Sequence, residues 1–160
     1  MIKDLAALQI LTRGGEGRSL WGPGGDRYRF LVTGAETGNS SFVLEALVPP
    51  GGGPPPHIHL KEDEFFYLLE GSLTVHVGGR TIEATAGDFI HAPRGVSHHY
   101  RNNGAIPARM LAMFTPAGME HWFTECLVPV SDQQPDPPEV TPEFIARMVE
   151  AGPRHGVAWG

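Results

Sequence analysis

With 160 residues, 41% of them apolar and 19% charged, the chain is long enough for one domain with a substantial core and has no disordered or fibrous bias. Twelve basic against eighteen acidic residues leave a net charge of −6, with no basic cluster to offset it, which argues against a nucleic-acid partner. The single cysteine, Cys126, excludes an intramolecular disulfide framework, fits a reducing compartment and reads as a small buried hydrophobe.

The first residues, MIKDLAALQIL, are apolar but interrupted by Lys3 and Asp4, and their apolar runs are too short for a signal core. No stretch reaches the roughly 20 apolar residues of a membrane helix, so the expectation is a cytoplasmic protein without a membrane partner. A glycine-rich region follows, with a short first strand at Ser19–Trp21. Short β-type runs then succeed one another: 27–33, 41–48, 65–70, 73–77, 80–85, 88–92, 97–102 and 108–114, each closed by glycine, proline or Asn-Gly. Such spacing is the signature of a sandwich or barrel, with Gly78-Gly79 a two-residue hairpin turn. The segment 131–140, SDQQPDPPEV, reads as a proline-rich connector. A helix follows in TPEFIARMVEAG, with Thr141 as N-cap, Pro142 in the first turn and Gly152 as the stop. Phe144, Ile145, Met148 and Val149 form its apolar stripe, expected to pack on the barrel. The organisation expected is a β-barrel domain over 19–130 and a connector with helix over 131–160.

The chemistry concentrates in GGGPPPHIHLKEDEFFYLLEG, residues 51–71. Side chains alternate along a strand, so His57 and His59 share a face with Cα atoms ~6.6 Å apart. Their rings can lean together until both reach ~2.1 Å from one metal ion. Pro54, Pro55 and Pro56 hold the approach extended and withhold three donors, which suits an edge rather than a central strand. Glu64 follows a turn and shares a face with Phe66 and Leu68, where a carboxylate needs a partner and a metal is one. Glu62 and Asp63 read as a solvated charged turn. The segment GDFIHAPRGVSHHYRN (87–102) offers His91, His98 and His99 as a further ligand. Val96, His98 and Tyr100 share the face with the larger apolar side chains, which favours His98 without excluding His99. His76 falls on the polar phase of its strand, His91 reads as a hydrogen-bonded structural residue, and His155 as solvated in the tail.

These residues resemble the two motifs of the cupins. The first is Gly, five residues, His-x-His, three or four residues, Glu, six residues, Gly, matched by Gly51, His57, His59, Glu64 and Gly71. The second is Gly, five residues, Pro-x-Gly, two residues, His, three residues, Asn, matched by Gly87, Pro93, Gly95, His98 and Asn102. A looser resemblance to small quercetinase-like cupins runs from Trp21 to TPAGMEHWF (115–123). The resemblance implies an all-β double-stranded β-helix, the cupin jelly-roll barrel, with a short C-terminal helix. It implies His57, His59, Glu64 and His98 as ligands of one divalent transition metal, and a homodimer. Three imidazoles and a carboxylate without thiolate suit Fe, Ni, Mn, Cu or Zn, and six-coordination would leave two positions for substrate.

By the same resemblance a short helix lies near the barrel mouth, where His121 would touch a small-molecule substrate or act as acid or base. Phe66, Tyr100, Met113, Phe114 and Trp122 are candidates to line an apolar substrate pocket. The leading expectation for function is a metal-dependent dioxygenase acting on an enol, flavonol or diketone, with O2 as co-substrate and Glu64 as the catalytic base. The alternatives are non-redox isomerisation, cyclisation or hydrolysis at the same metal, and a non-enzymatic ligand-binding cupin.

Overall fold

The computed structural model describes residues 11–160; the apolar run at 1–10 lies outside the described residues. Strands β1 (Ser19–Trp21), β2 (Arg27–Val32) and β3 (Phe42–Val48) are followed by β4 (His57–His59) and β5 (Asp63–Glu70). Then come β6 (Ser72–Val77), β7 (Arg80–Thr85), β8 (Phe89–Ala92), β9 (His98–Arg101) and β10 (Ala108–Thr115). Two short strands, β11 (Val128–Pro129) and β12 (Val157–Trp159), close the set. The helices are α1 (Gly34–Thr37), α2 (Met119–Cys126) and α3 (Pro142–His155). Among the described residues, no helix is long and apolar enough to cross a membrane.

The strands form two antiparallel sheets facing each other, a jelly roll. One has the order β11-β1-β2-β3-β10-β5-β8 and the other β12-β4-β9-β6-β7. Alternation decides what faces inward. Phe42, Leu44, Ala46 and Val48 of β3, and Ala108, Met110, Ala112 and Phe114 of β10, are buried while their neighbours in sequence are half-exposed. The hairpin between β6 and β7 turns on Gly78 and Gly79 at φ +54° and +80°, which a side chain would resist at both positions. Phe123 of α2 plugs one end of the barrel, with its ring 5.0 Å from Tyr28, 5.9 Å from Phe42 and 6.0 Å from Phe114.

The C-terminal region departs from expectation in three ways. Helix α3 does not stop at Gly152 but runs on to His155, with Gly156 in the left-handed conformation as its C-cap. Gly152 is small because of close packing: a Cβ there would lie 2.9 Å from both the Trp159 Nε1 and the Val157 carbonyl oxygen. The buried stripe is Phe144, Met148 and Ala151, whereas Ile145 and Val149 are exposed, because α3 packs on α2 and β12 through a narrower face than expected. His155 is not solvated in a loose tail; it ends α3 and its Nε2 lies 2.7 Å from Glu125 Oε2. Beyond it, β12 pairs with β4, the strand of the two histidines, in the register Val157–His59 and Trp159–His57.

Candidate metal centre

The site joins the two sheets. Pro54-Pro55-Pro56 lead straight into β4, so His57 and His59 both point inward and are buried. Strand β9 lies beside β4 with His98 directly opposite His57, their rings 4.5 Å apart. Glu64 arrives from the other sheet on β5, where it shares the inner face with Phe66 and Leu68. One ligand-type atom from each of the four lies within 4.8 Å of every other. His98 is the least exposed of the three histidines at 1%, while His99 faces outward to stack on His76 at 4.4 Å. His91 also lies outside, stacked on Phe65.

Hydrogen bonds set the tautomers. His57 Nδ1 donates to the Pro55 carbonyl at 2.8 Å and His98 Nδ1 to the Val96 carbonyl at 2.9 Å, so Nε2 of each ring faces the cluster. Burial, reinforced by the imidazoles of His59 and His98, lowers the His57 pKa to about 3, which keeps a lone pair on that nitrogen. Glu64 Oε2 lies 2.8 Å from His98 Nε2 and 3.2 Å from His59 Nε2. Burial pulls its pKa upward, but those two imidazole contacts prevail and hold the carboxyl well below its ordinary range. Burial also works against charge on His98, yet the hydrogen bond and charge of Glu64 raise its pKa on balance. Three imidazoles and an ionised carboxylate, converging and shielded from water, are a donor set that could hold a divalent transition metal ion.

The cluster opens into a narrow cavity with a largely apolar lining. Leu44, Ala46, Met110 and Ala112 form its sheet wall, α2 contributes Met119, Trp122 and Phe123, and Met148 and Trp159 close it from the C-terminal region. Of the residues expected around a substrate, Tyr100, Phe114 and Trp122 line this cavity. Phe66 is buried behind the lining, with its ring 5.7 Å from Tyr100 and 6.3 Å from His98. Met113 is on the opposite face of β10 from Ala112 and Phe114, and His121 is exposed beside a separate polar groove with Glu36 and Thr124. Neither borders the cavity, because strand alternation turns one out and the polar face of α2 carries the other.

Two features escaped the sequence. Tyr28 also lines the cavity, its hydroxyl 3.4 Å from that of Tyr100; its inward phase with Phe30 in RYRF was the available signal. Glu62, expected in a solvated turn, is instead buried, at 2% exposure. The chain doubles back beneath the start of α2 there, and burial raises the Glu62 pKa. Asp63 does behave as a surface acid, paired with Arg94 at 2.8 Å.

Comparison with known proteins agrees with this architecture. Residues 44–114 match the cupin domain, a span that holds all four clustered side chains. The chain is 31% identical over 121 residues to the tetracenomycin polyketide synthase protein TcmJ of Streptomyces glaucescens, covering 72% of this chain and 79% of that one. The chain belongs to the cupin family. This cupin is also 29% identical over 117 residues to quercetin 2,3-dioxygenase of Bacillus subtilis (strain 168), covering 73% of its own length but 34% of that enzyme. Among solved structures, the polyketide cyclase RemF of Streptomyces resistomycificus superposes with a TM-score of 0.57 at 28% identity, covering 68% of this chain and 79% of that chain.

Proposed function

We propose that this cupin is a metal-dependent enzyme acting on a small enolic or phenolic molecule of the polyketide or flavonol type, and that Glu64 takes the first proton. His57, His59, Glu64 and His98 hold the ion. An ion held there would supply Lewis acidity toward an enol or phenol. The observation that supports this reading is one ionised carboxylate among three imidazoles, opening into a cavity walled by aromatic and aliphatic side chains.

An ionised Glu64 carboxylate facing the cavity would be placed to take the proton of an enol made more acidic by the ion. The walls bind the apolar body and keep water from the resulting anion. The Tyr28 and Tyr100 hydroxyls offer a donor to a substrate oxygen away from the ion.

For the following step we take non-redox ring closure: the enolate carbon bonds to a carbonyl carbon of the same molecule, the alkoxide so formed takes back the proton held by Glu64, and the new hydroxyl leaves as water as the attacking carbon loses its remaining hydrogen to form a carbon–carbon double bond. The similarity to two polyketide proteins, each matched over 79% of its length, supports it. Dioxygenation, with O2 as co-substrate, is the second reading, supported by the similarity to quercetin 2,3-dioxygenase. Turnover of a flavonol and of a linear polyketone by metal-loaded protein, run anaerobically and in an oxygen electrode, separates them. Ring closure proceeds at the same rate without O2; turnover tied to O2 uptake overturns ring closure in favour of dioxygenation. In either case Glu64→Gln lowers turnover by about 100-fold or more with a smaller change in substrate affinity. Equal losses in both would leave Glu64 as a ligand only.

A further inference from the structure

Among the described residues, four buried side-chain polar atoms have no hydrogen-bond partner: Asp26 Oδ1, His59 Nδ1, Glu62 Oε2 and Trp159 Nε1. Two of them, His59 at the end of β4 and Glu62 in the turn that follows, stand three residues apart and are chemically complementary: an imidazole nitrogen and a carboxylate oxygen. His57 and His98 each tie Nδ1 to the carbonyl two residues back, those of Pro55 and Val96. For His59 the corresponding carbonyl belongs to His57, inside β4, which is paired on both sides by β12 and β9. His59 therefore lacks the tether that its two neighbours have.

Glu62 is placed to supply it. Its side chain is buried although it stands between Lys61 and Asp63 in a charged turn, and a buried carboxylate oxygen without a partner is costly. Gly118, which begins α2 at φ +149°, makes room for it: a Cβ there would come within 3.1 Å of Glu62 Oε1. The neighbouring acid, Asp63, is already engaged by Arg94 at the surface.

We infer that Glu62 is the outer partner of His59: its carboxylate accepts the Nδ1 proton, directly after a small side-chain rotation or through one bridging water, and so presents Nε2 to the ion. The inference rests on reading the cluster as a metal centre. Glu62 is then a positioning residue, and it makes the His59 Nε2 a better donor. Outer partners of this kind are worth about 10- to 100-fold in metal affinity.

The test uses the full chain, with Zn(II) and Co(II) as probes in competition with a chelating dye. Glu62→Ala is expected to weaken both by about 10- to 100-fold and to shift the visible absorption of the Co(II) form. Glu62→Gln, whose amide oxygen still accepts, recovers most of the affinity, and Asp63→Asn leaves it unchanged. In 15N-edited imidazole spectra, Glu62→Ala is expected to shift the His59 Nδ1 resonance in both the metal-free and the Zn(II) forms. Unchanged affinities, Co(II) spectrum and His59 Nδ1 resonance in Glu62→Ala, even with a lower melting temperature, would overturn the inference and leave Glu62 as filler beneath α2. A wild type that takes up neither metal while its His59 Nδ1 resonance still answers to Glu62 would sink the metal reading and keep the contact.

Discussion

Asp26 gives the sharpest test of how burial is balanced in this barrel. It sits just before β2, 1% exposed, with Oδ2 accepting the Gly53 N–H at 3.3 Å and Oδ1 unpartnered. Gly24 and Gly52 crowd it so closely that a Cβ would stand 2.6 Å from Oδ2 or 3.0 Å from Oδ1. Burial raises its pKa from 3.8 to about 6, with the Gly53 N–H, its own backbone N–H and Arg101 pulling partway back. An acid whose folded pKa exceeds its unfolded one binds more protons when folded, so stability falls as pH rises from about 4 to about 6. A shift of roughly two units is worth about 3 kcal/mol, lost in full by pH 7. Asp26→Asn keeps an acceptor for Gly53 and removes the titration. Urea unfolding of metal-free wild type and variant, followed by tryptophan fluorescence from pH 4 to 8, isolates this contribution, since His57 and the other histidines cancel in the difference. The variant should gain about 2.4 kcal/mol over wild type between pH 4 and pH 7. A difference that stays flat across that window would refute the reasoning.

Two further outcomes follow from packing. Gly53 stands at φ +126° with the position of a Cβ only 2.1 Å from the Tyr100 carbonyl oxygen, so Gly53→Ala should cost about 3 kcal/mol or more in denaturant unfolding, and a loss under 1 kcal/mol would contradict that contact. Burial, with Glu125 nearby, raises the Cys126 thiol to about 11, so a disulfide reagent at pH 8 should leave the native thiol unmodified and label it fully in guanidinium; rapid stoichiometric labelling of native protein would contradict its burial.

The barrel was legible because its strands are short, alternating and punctuated. Gly78-Gly79, Gly71 and Pro93 close the runs where the strands end, and Phe42 to Val48 shows its inner face by phase alone. Alternation also carried the site partway. It put His57 with His59 and Glu64 with Phe66, and favoured His98 by its apolar phase, but could not exclude His99, because the choice depends on which strand lies beside β4. Motif spacing made that choice, and the structure brings His98 opposite His57.

What stayed hidden was set by distant contacts. Strand β12 is three residues long, has no periodicity to read, and finds its partner about a hundred residues upstream in β4. Gly152 reads as a helix stop, although its small size serves the approach of Trp159. Glu62 carries every local sign of a solvated turn, and only the fold of the chain beneath α2 buries it. In each case local chemistry offers one answer and a long-range contact another.

The central claim is that His57, His59, Glu64 and His98 act together as one metal centre. Elemental analysis of wild-type protein and the His59→Ala variant, both reconstituted with a single divalent metal and passed through a desalting column, tests it most directly. One ion per chain in wild type and loss of that ion in the variant is the predicted result, because removing one imidazole leaves an incomplete donor set. Full metal content in His59→Ala would contradict the claim.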